Sequence, residues 1–182
     1  MTEQDVPEAN YSQRLTGERV DPAPAVTSER QALTEYLDYY RKTLELKCAN
    51  LDAARLSAQP VPPSTLSLHG LLRHLTGGER WWFRIQFAGE DVPLPYYSDD
   101  DPNQDFEDLG GDIEAAFALW REECARSREI VAASSLDDTG TRRGTGESFT
   151  LRWLMLRAIG EYARHCGHAD LVRELIDGEV GE

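Results

Sequence analysis

The stretch GEYARHCGHADLVREL, Gly160 to Leu175, has the apolar recurrence of a helix, yet a glutamate and histidines fall on its apolar stripe. With Leu154 at zero and about 100° per residue, Ala158, Glu161, His165, His168, Ala169 and Val172 lie within about 60° of one line. A helix that turns this face inward buries a carboxylate and imidazoles, which must then be paired or metal-bound, because an unpaired buried charge is costly. Glu161 and His165 are one turn apart and can grip one ion from the same face. A third ligand from a facing helix completes an open site. His74 is the candidate, and Gly70, Gly77 and Gly78 around it let a backbone or a ligand approach closely.

The rest of the chain supplies the facing helices. Leu33, Tyr36, Leu37, Tyr40, Leu44 and Cys48 recur at helical steps behind a cap at Thr27 or Ser28. The prolines of SAQPVPPST break that helix, and LSLHGLLRHLTGGERWWFRIQFAG predicts a second one ending near Gly89. DIEAAFALWREECARSREIVAAS predicts a third, with Asp112 at its amino end, and LRWLMLRAIGEYARH opens the fourth behind Ser148 or Thr150. No β alternation stands out. EDVPLPYYSDDDPNQDFEDLG, between the second and third helices, is proline-broken and long enough to run the length of a bundle. The expectation is an all-α four-helix bundle over residues 28–182 with one long crossover, behind an extended arm over residues 1–27 that lacks apolar periodicity.

Composition narrows the partners. A chain of 182 residues, 40% hydrophobic, fits one domain with a sizeable core. The formal charge of −14 repels phosphate backbones and anionic membranes, so neither nucleic acid nor membrane is an expected partner. The start MTEQDVPEANYSQ lacks the basic and apolar regions of a secretory signal, and no apolar run reaches the roughly 18 residues of a membrane span; the expected location is cytoplasmic. Three cysteines without CxxC spacing read as reduced thiols, and Cys166 as a small buried hydrophobe.

Structural readings compete at each candidate. Glu161 with Arg157 or Arg164 can be a helix-surface ion pair, and Glu161 with His165 an interior hydrogen bond. Spacing alone leaves these open, since the pair is not HExxH. His69, about 140° around its helix from His74, is set aside as a surface or capping residue. Trp81 lies two turns from His74 on nearly the same face. Core is nonetheless the better reading of both Trp81 and Trp82, and with Phe83 they read as core aromatics, or as a surface for a homodimer. The acidic run SDDDPNQDFED reads as a solvated loop.

The succession ERQALTEYLDYYRKTLELK, PPSTLSLHGLLRHLTGGERWWF, DDDPNQDFED and LRWLMLRAIGEYARHCGHADLVRELIDGEVG resembles the DinB-like superfamily, and within it the branch catalogued as domain of unknown function DUF664, over roughly residues 28–181. The resemblance implies a bundle in up-down-down-up order. It also implies a divalent metal, held in many members by one histidine of the second helix and an HxxxH pair of the fourth. His74 matches the first position and His165 the last. Glu161 stands where the first histidine of the pair would be, a hard oxygen replacing a nitrogen. The branch pattern has His near position 157 and Glu near 160, where this chain has Arg157 and Gly160, and Arg157 is placed to compete for the Glu161 carboxylate.

Relatives include transferases and isomerases that use mycothiol, bacillithiol or glutathione. The resemblance therefore implies a metal, zinc first and nickel or iron next, that lowers the pKa of a bound low-molecular-weight thiol for attack on an electrophilic small molecule in detoxification or secondary metabolism. His74, Glu161 and His165 hold the ion; His168 shuttles a proton or orients a ligand; Trp81, Arg157 and Arg164 are candidates for substrate contact. Two alternatives are a non-catalytic bundle that binds a metal or small molecule, and a metal-assisted hydrolase.

Overall fold

Ser28 caps the first helix, its hydroxyl accepting from the Gln31 amide, and α1 runs over Glu29–Lys47. The computed structural model describes residues 19–22 and 28–180; the arm expected over residues 1–27 lies almost wholly outside them. A short α2 (Ala53–Leu56) follows, then α3 (Leu68–Glu79), capped by Ser67. Without a break α3 widens into a π-helical stretch, Arg80–Phe87. Such wider turns recur beside functional sites. Asp112 caps α4 (Ile113–Ala133), and Thr150 caps α5 (Leu151–Asp177), which ends on Gly178 in the left-handed conformation. The four long helices form the all-α bundle, α1 packed along α5 and α3 along α4.

Two strands, β1 (Thr139–Thr141) and β2 (Ser148–Thr150), precede the last helix, although no β alternation stands out there in the sequence. They pair antiparallel with Gly140 opposite Phe149. Three-residue strands are too short for alternation to register in a sequence. Gly140 is required by close approach: a methyl there would come within 2.7 Å of the Phe87 backbone at the end of the π-helical stretch.

The core is mostly leucine, but a polar chain crosses it. Arg41 of α1 makes a bidentate pair with Glu79 of α3, at 2.8 and 2.7 Å. Tyr162 of α5 donates to Glu79 at 2.8 Å, and Trp120 of α4 donates to the Tyr162 hydroxyl at 3.0 Å. All four residues are buried. Every long helix contributes one member, so rotation of any helix breaks a bond inside the core, where an unmade hydrogen bond is expensive. Tyr162 directly follows Glu161, so the chain also fixes how α5 presents that residue.

The crossover between Phe87 and Ile113 is anchored along its length. Arg73 donates to the carbonyls of Gln104 and Glu107 and lies over the Tyr96 ring, and the Ser57 hydroxyl donates to the Leu109 carbonyl. Phe106 packs onto Gly70, where an added methyl would come within 2.5 Å of its ring. His69, expected at the surface or as a cap, is instead buried beneath this segment with Nδ1 3.1 Å from Ser57 Oγ. The reason is that the crossover covers α3 on a side that a four-helix count leaves open. Among the described residues no helix is long and apolar enough to cross a membrane.

Candidate functional site

His74 of α3 converges with Glu161 and His165 of α5 where the two helices meet. One ligand atom from each lies within 4.8 Å of the other two. Oε1 of Glu161 is 3.4 Å from His74 Nε2 and 3.1 Å from His165 Nε2. Ligand atoms bound tetrahedrally at about 2.0–2.1 Å stand roughly 3.4 Å apart, so this set needs little movement to close on one ion.

Hydrogen bonds behind the cluster decide what each atom offers. Nδ1 of His74 is 2.8 Å from Oδ2 of Asp105. Burial by itself would lower the His74 pKa, but Asp105 and Glu161 more than offset it and hold it above the ordinary value. With Nδ1 committed to Asp105, Nε2 is the atom turned to the cluster. Asp105 belongs to the run read as a solvated loop, which corrects that reading. Its signal in the sequence was slight, an acidic residue preceding the one aromatic of that run.

His165 is neutral: burial and the neighbouring His74 bring its pKa down to about 4. Its Nε2 is 3.3 Å from an Arg164 nitrogen, and its Nδ1 is 3.3 Å from Nδ1 of His168. A guanidinium can only donate, so Nε2 accepts and the ring proton sits on Nδ1, facing His168. The Nε2 lone pair and the Glu161 carboxylate thus point at one position, and Arg164 reaches it with a nitrogen 2.8 Å from Oε1 of Glu161. The Arg164 guanidinium supplies the positive charge that these two acceptors, 3.1 Å apart, need between them, in the place that an ion would take. The donor set fits a divalent ion held by His74, Glu161 and His165, with Arg164 displaced from the carboxylate.

The other candidates divide. A cleft of about 350 Å³ opens onto His74 and Glu161 and is lined also by Gly77, Gly78, Trp81, Trp82, Tyr96, Tyr97 and Arg157. Arg157 does not compete for Glu161; its guanidinium lies 4.4 Å over the Trp82 ring. Arg164 is not among the residues that line the cleft. His168 touches His165 on the side away from Glu161, the geometry of an orienting group. Trp82 is spent within the chain, edge-on to Phe149 and Trp153. Cys166 is buried, and burial pushes its thiol up to about 12, outside the range of a nucleophile at neutral pH. A second groove, between α1 and α4, has its three arginines already engaged: Arg30 by the carbonyls of Val131 and Ser134, Arg41 by Glu79 and Arg128 by Asp38.

The family model of the mycothiol-S-transferases matches residues 32–178. The chain belongs to that family. The match spans all four long helices and every residue of the cluster, in keeping with the DinB-like resemblance. A crystal structure of a conserved protein from Enterococcus faecalis superposes with a TM-score of 0.60 at 19% identity, over 84% of this chain and 99% of that one. That likeness concerns the fold alone. No curated protein matches the chain. Membership of a mycothiol-S-transferase family, together with a His/Glu/His cluster, indicates a metal-dependent, thiol-transferase-like function that takes a thiol and an electrophile.

Proposed function

We propose that the chain transfers a low-molecular-weight thiol, mycothiol first among the candidates, to an electrophilic small molecule at the His74, Glu161, His165 cluster. The observation that carries this reading is the convergence of those three ligand atoms, from two helices, two of whose residues, His74 and Glu161, line a cleft wide enough for a small molecule. A divalent ion bound there, zinc before nickel or iron, supplies Lewis acidity that keeps a thiol deprotonated near neutral pH. The chain's own residues do the rest. Asp105 and His168 hold the two imidazoles in the orientation that turns Nε2 inward, and the carboxylate of Glu161 lowers the net charge of the ligand set. Trp81, Tyr96 and Tyr97 offer ring faces that shed water around a bound molecule, and Arg157, in the cleft wall, offers a positive charge to its polar end. A cytoplasmic location and a role in detoxification or secondary metabolism belong to the same proposal.

The test is thiol consumption. Protein loaded with zinc and mixed with mycothiol and a panel of electrophiles should consume one thiol per product, and Glu161→Ala should not. Turnover that continues when thiol is omitted would replace the transferase by a metal-assisted hydrolase, and metal uptake without turnover would replace it by a binding protein.

Asp105→Asn keeps the shape of the side chain but weakens its hold on His74 Nδ1. Zinc affinity is expected to fall by roughly 10–100-fold, as for other outer partners of metal-bound histidines. Competition with a chromogenic chelator reads this directly, and affinity within a factor of about two of the parent would remove Asp105 from the site.

A further inference from the structure

Four charged side chains and a histidine line the cleft: Arg73, Asp105, Arg157, Glu161 and His74. All but one are committed within the chain. Asp105 holds His74, Glu161 is held by the two imidazoles and Arg164, and Arg73 is held by the crossover carbonyls of Gln104 and Glu107. Arg157 is left. Among the described residues its partner is the Trp82 ring, 4.4 Å from the guanidinium carbon, and no carboxylate or carbonyl receives its donors. The chain has 33 Asp and Glu against 19 Lys and Arg, so a carboxylate was easily supplied had Arg157 needed one only for solvation or stability.

Stacking shapes what this arginine offers. It occupies a face of the guanidinium and leaves the N–H donors around the rim, in the plane where a carboxylate is received through two parallel hydrogen bonds. Trp82 is itself fixed edge-on against Phe149 and Trp153, with ring centroids 5.9 and 5.8 Å away, so the stack orients the guanidinium before a ligand arrives. Arg157 precedes Glu161 by four residues, so one turn of α5, about 6 Å of rise, separates the two along the helix. Beside them the lining is flat and apolar, with Trp81, Tyr96 and Tyr97. Tyr96 has φ 55°, a left-handed backbone that bulky residues seldom adopt and that recurs where ligands are clamped.

We infer that the electrophile taken by this cleft is a flat organic acid. Its carboxylate is received on the rim of Arg157, its body lies among Trp81, Tyr96 and Tyr97, and its reactive carbon is turned to the His74, Glu161, His165 cluster. Arg157 is thereby a specificity-determining residue, because a neutral electrophile leaves its charge unmatched. The inference rests on the transferase reading for the reaction and on Arg157 for the selection of charge.

The test pairs an acid with its neutral ester. Zinc-loaded protein is given mycothiol, which carries no carboxylate, and a chloronitrobenzoate with chlorine ortho to the nitro group and para to the carboxylate, or its methyl ester. In both, sulfur replaces chlorine on the ring carbon, chloride leaves with the bonding pair, and the thiol proton passes to solvent. With each rate divided by its uncatalysed counterpart, kcat/KM for the acid should exceed that for the ester by roughly tenfold. Arg157→Gln should abolish this preference, and Arg157→Lys, which keeps the charge but not the planar fork, should retain part of it. A parent indifferent to the charge, or a preference that survives in Arg157→Gln, would overturn the inference. So would an Arg157→Gln protein that alters the choice between glutathione and mycothiol but not between acid and ester, since Arg157 would then receive the thiol. Failure of every turnover would instead remove the transferase reading, and calorimetric titration then decides the inference by itself. In that titration p-nitrobenzoate should bind more tightly than p-nitrobenzamide to the parent and not to Arg157→Gln, and equal binding to the parent would overturn it.

Discussion

Protein purified without a histidine tag is expected to carry close to one divalent ion per chain, and His74→Ala, Glu161→Ala and His165→Ala are each expected to lose it. The effect should exceed the roughly 10–100-fold cost of removing an outer partner, because each variant removes one of three ligands and leaves a pair too poor to hold an ion. Glu161 should be the most sensitive, since its Oε1 is the atom shared by both imidazoles and by Arg164. The decisive contrast is Arg164→Ala. If the cluster were only an ion pair with interior hydrogen bonds, removing the guanidinium would destabilise the fold and do nothing to metal content. As a metal site it loses a competitor for the same oxygen, and affinity should rise. Elemental analysis of the four variants against the parent reads all of this, and metal content unchanged in the three ligand variants would end the metal proposal.

Glu79→Ala is expected to lower stability by about 3–5 kcal/mol, the usual cost of stripping one partner from a buried ion pair. Arg41 is left in the core with only the half-exposed Asp38 as a partner, and the Tyr162 hydroxyl loses its acceptor. For a chain of this size each kcal/mol moves the melting temperature by roughly 2–4 °C, so a fall of about 10 °C is expected. The double variant Arg41→Met/Glu79→Leu should recover most of it, because an apolar pair of similar volume is often as stable as a buried ion pair. Calorimetry that finds the double variant no better than Glu79→Ala would show that the polar chain contributes more than its pairing.

The same pair predicts an acid limb. Burial by itself would raise the Glu79 pKa, but Arg41 and Tyr162 more than offset it and hold the carboxyl below its ordinary value of 4.5. A depressed carboxyl contributes stability that is complete above the unfolded-state pKa and is lost as pH falls through the folded-state one. Below about pH 4.5 the parent should therefore lose melting temperature more steeply than Glu79→Gln. Equal slopes would mean that the carboxyl protonates alike in folded and unfolded chains.

Apolar period at three and four residues was enough to place the four long helices, and cap residues marked their starts, because these are local signals. The hairpin was not legible, since its strands are three residues long and its support comes from Phe87, more than fifty residues earlier. Arg41 was visible only as a basic residue on the stripe that carries Leu37 and Leu44. Nothing in its neighbourhood announced that Glu79 would meet it. Asp105 looked like every other carboxylate of an acidic loop.

What the sequence determined by itself is the all-α class, the long crossover, and the placing of Glu161 and His165 on one face of the last helix, because helical geometry sets residue spacing wherever the helix finally sits. The rest was decided in tertiary structure. His74 comes within reach of Glu161, Asp105 comes to stand behind His74, Arg157 is drawn to Trp82, and Arg164 rather than Arg157 engages the carboxylate. The first three join segments whose relative rotation depends on how the helices pack, and here a buried polar chain through all four long helices sets that rotation; the last, a pair within α5, follows once Arg157 is engaged elsewhere. A rotation of one residue step, about 100°, would turn Glu161 away from His74 while leaving every local signal in the sequence unchanged.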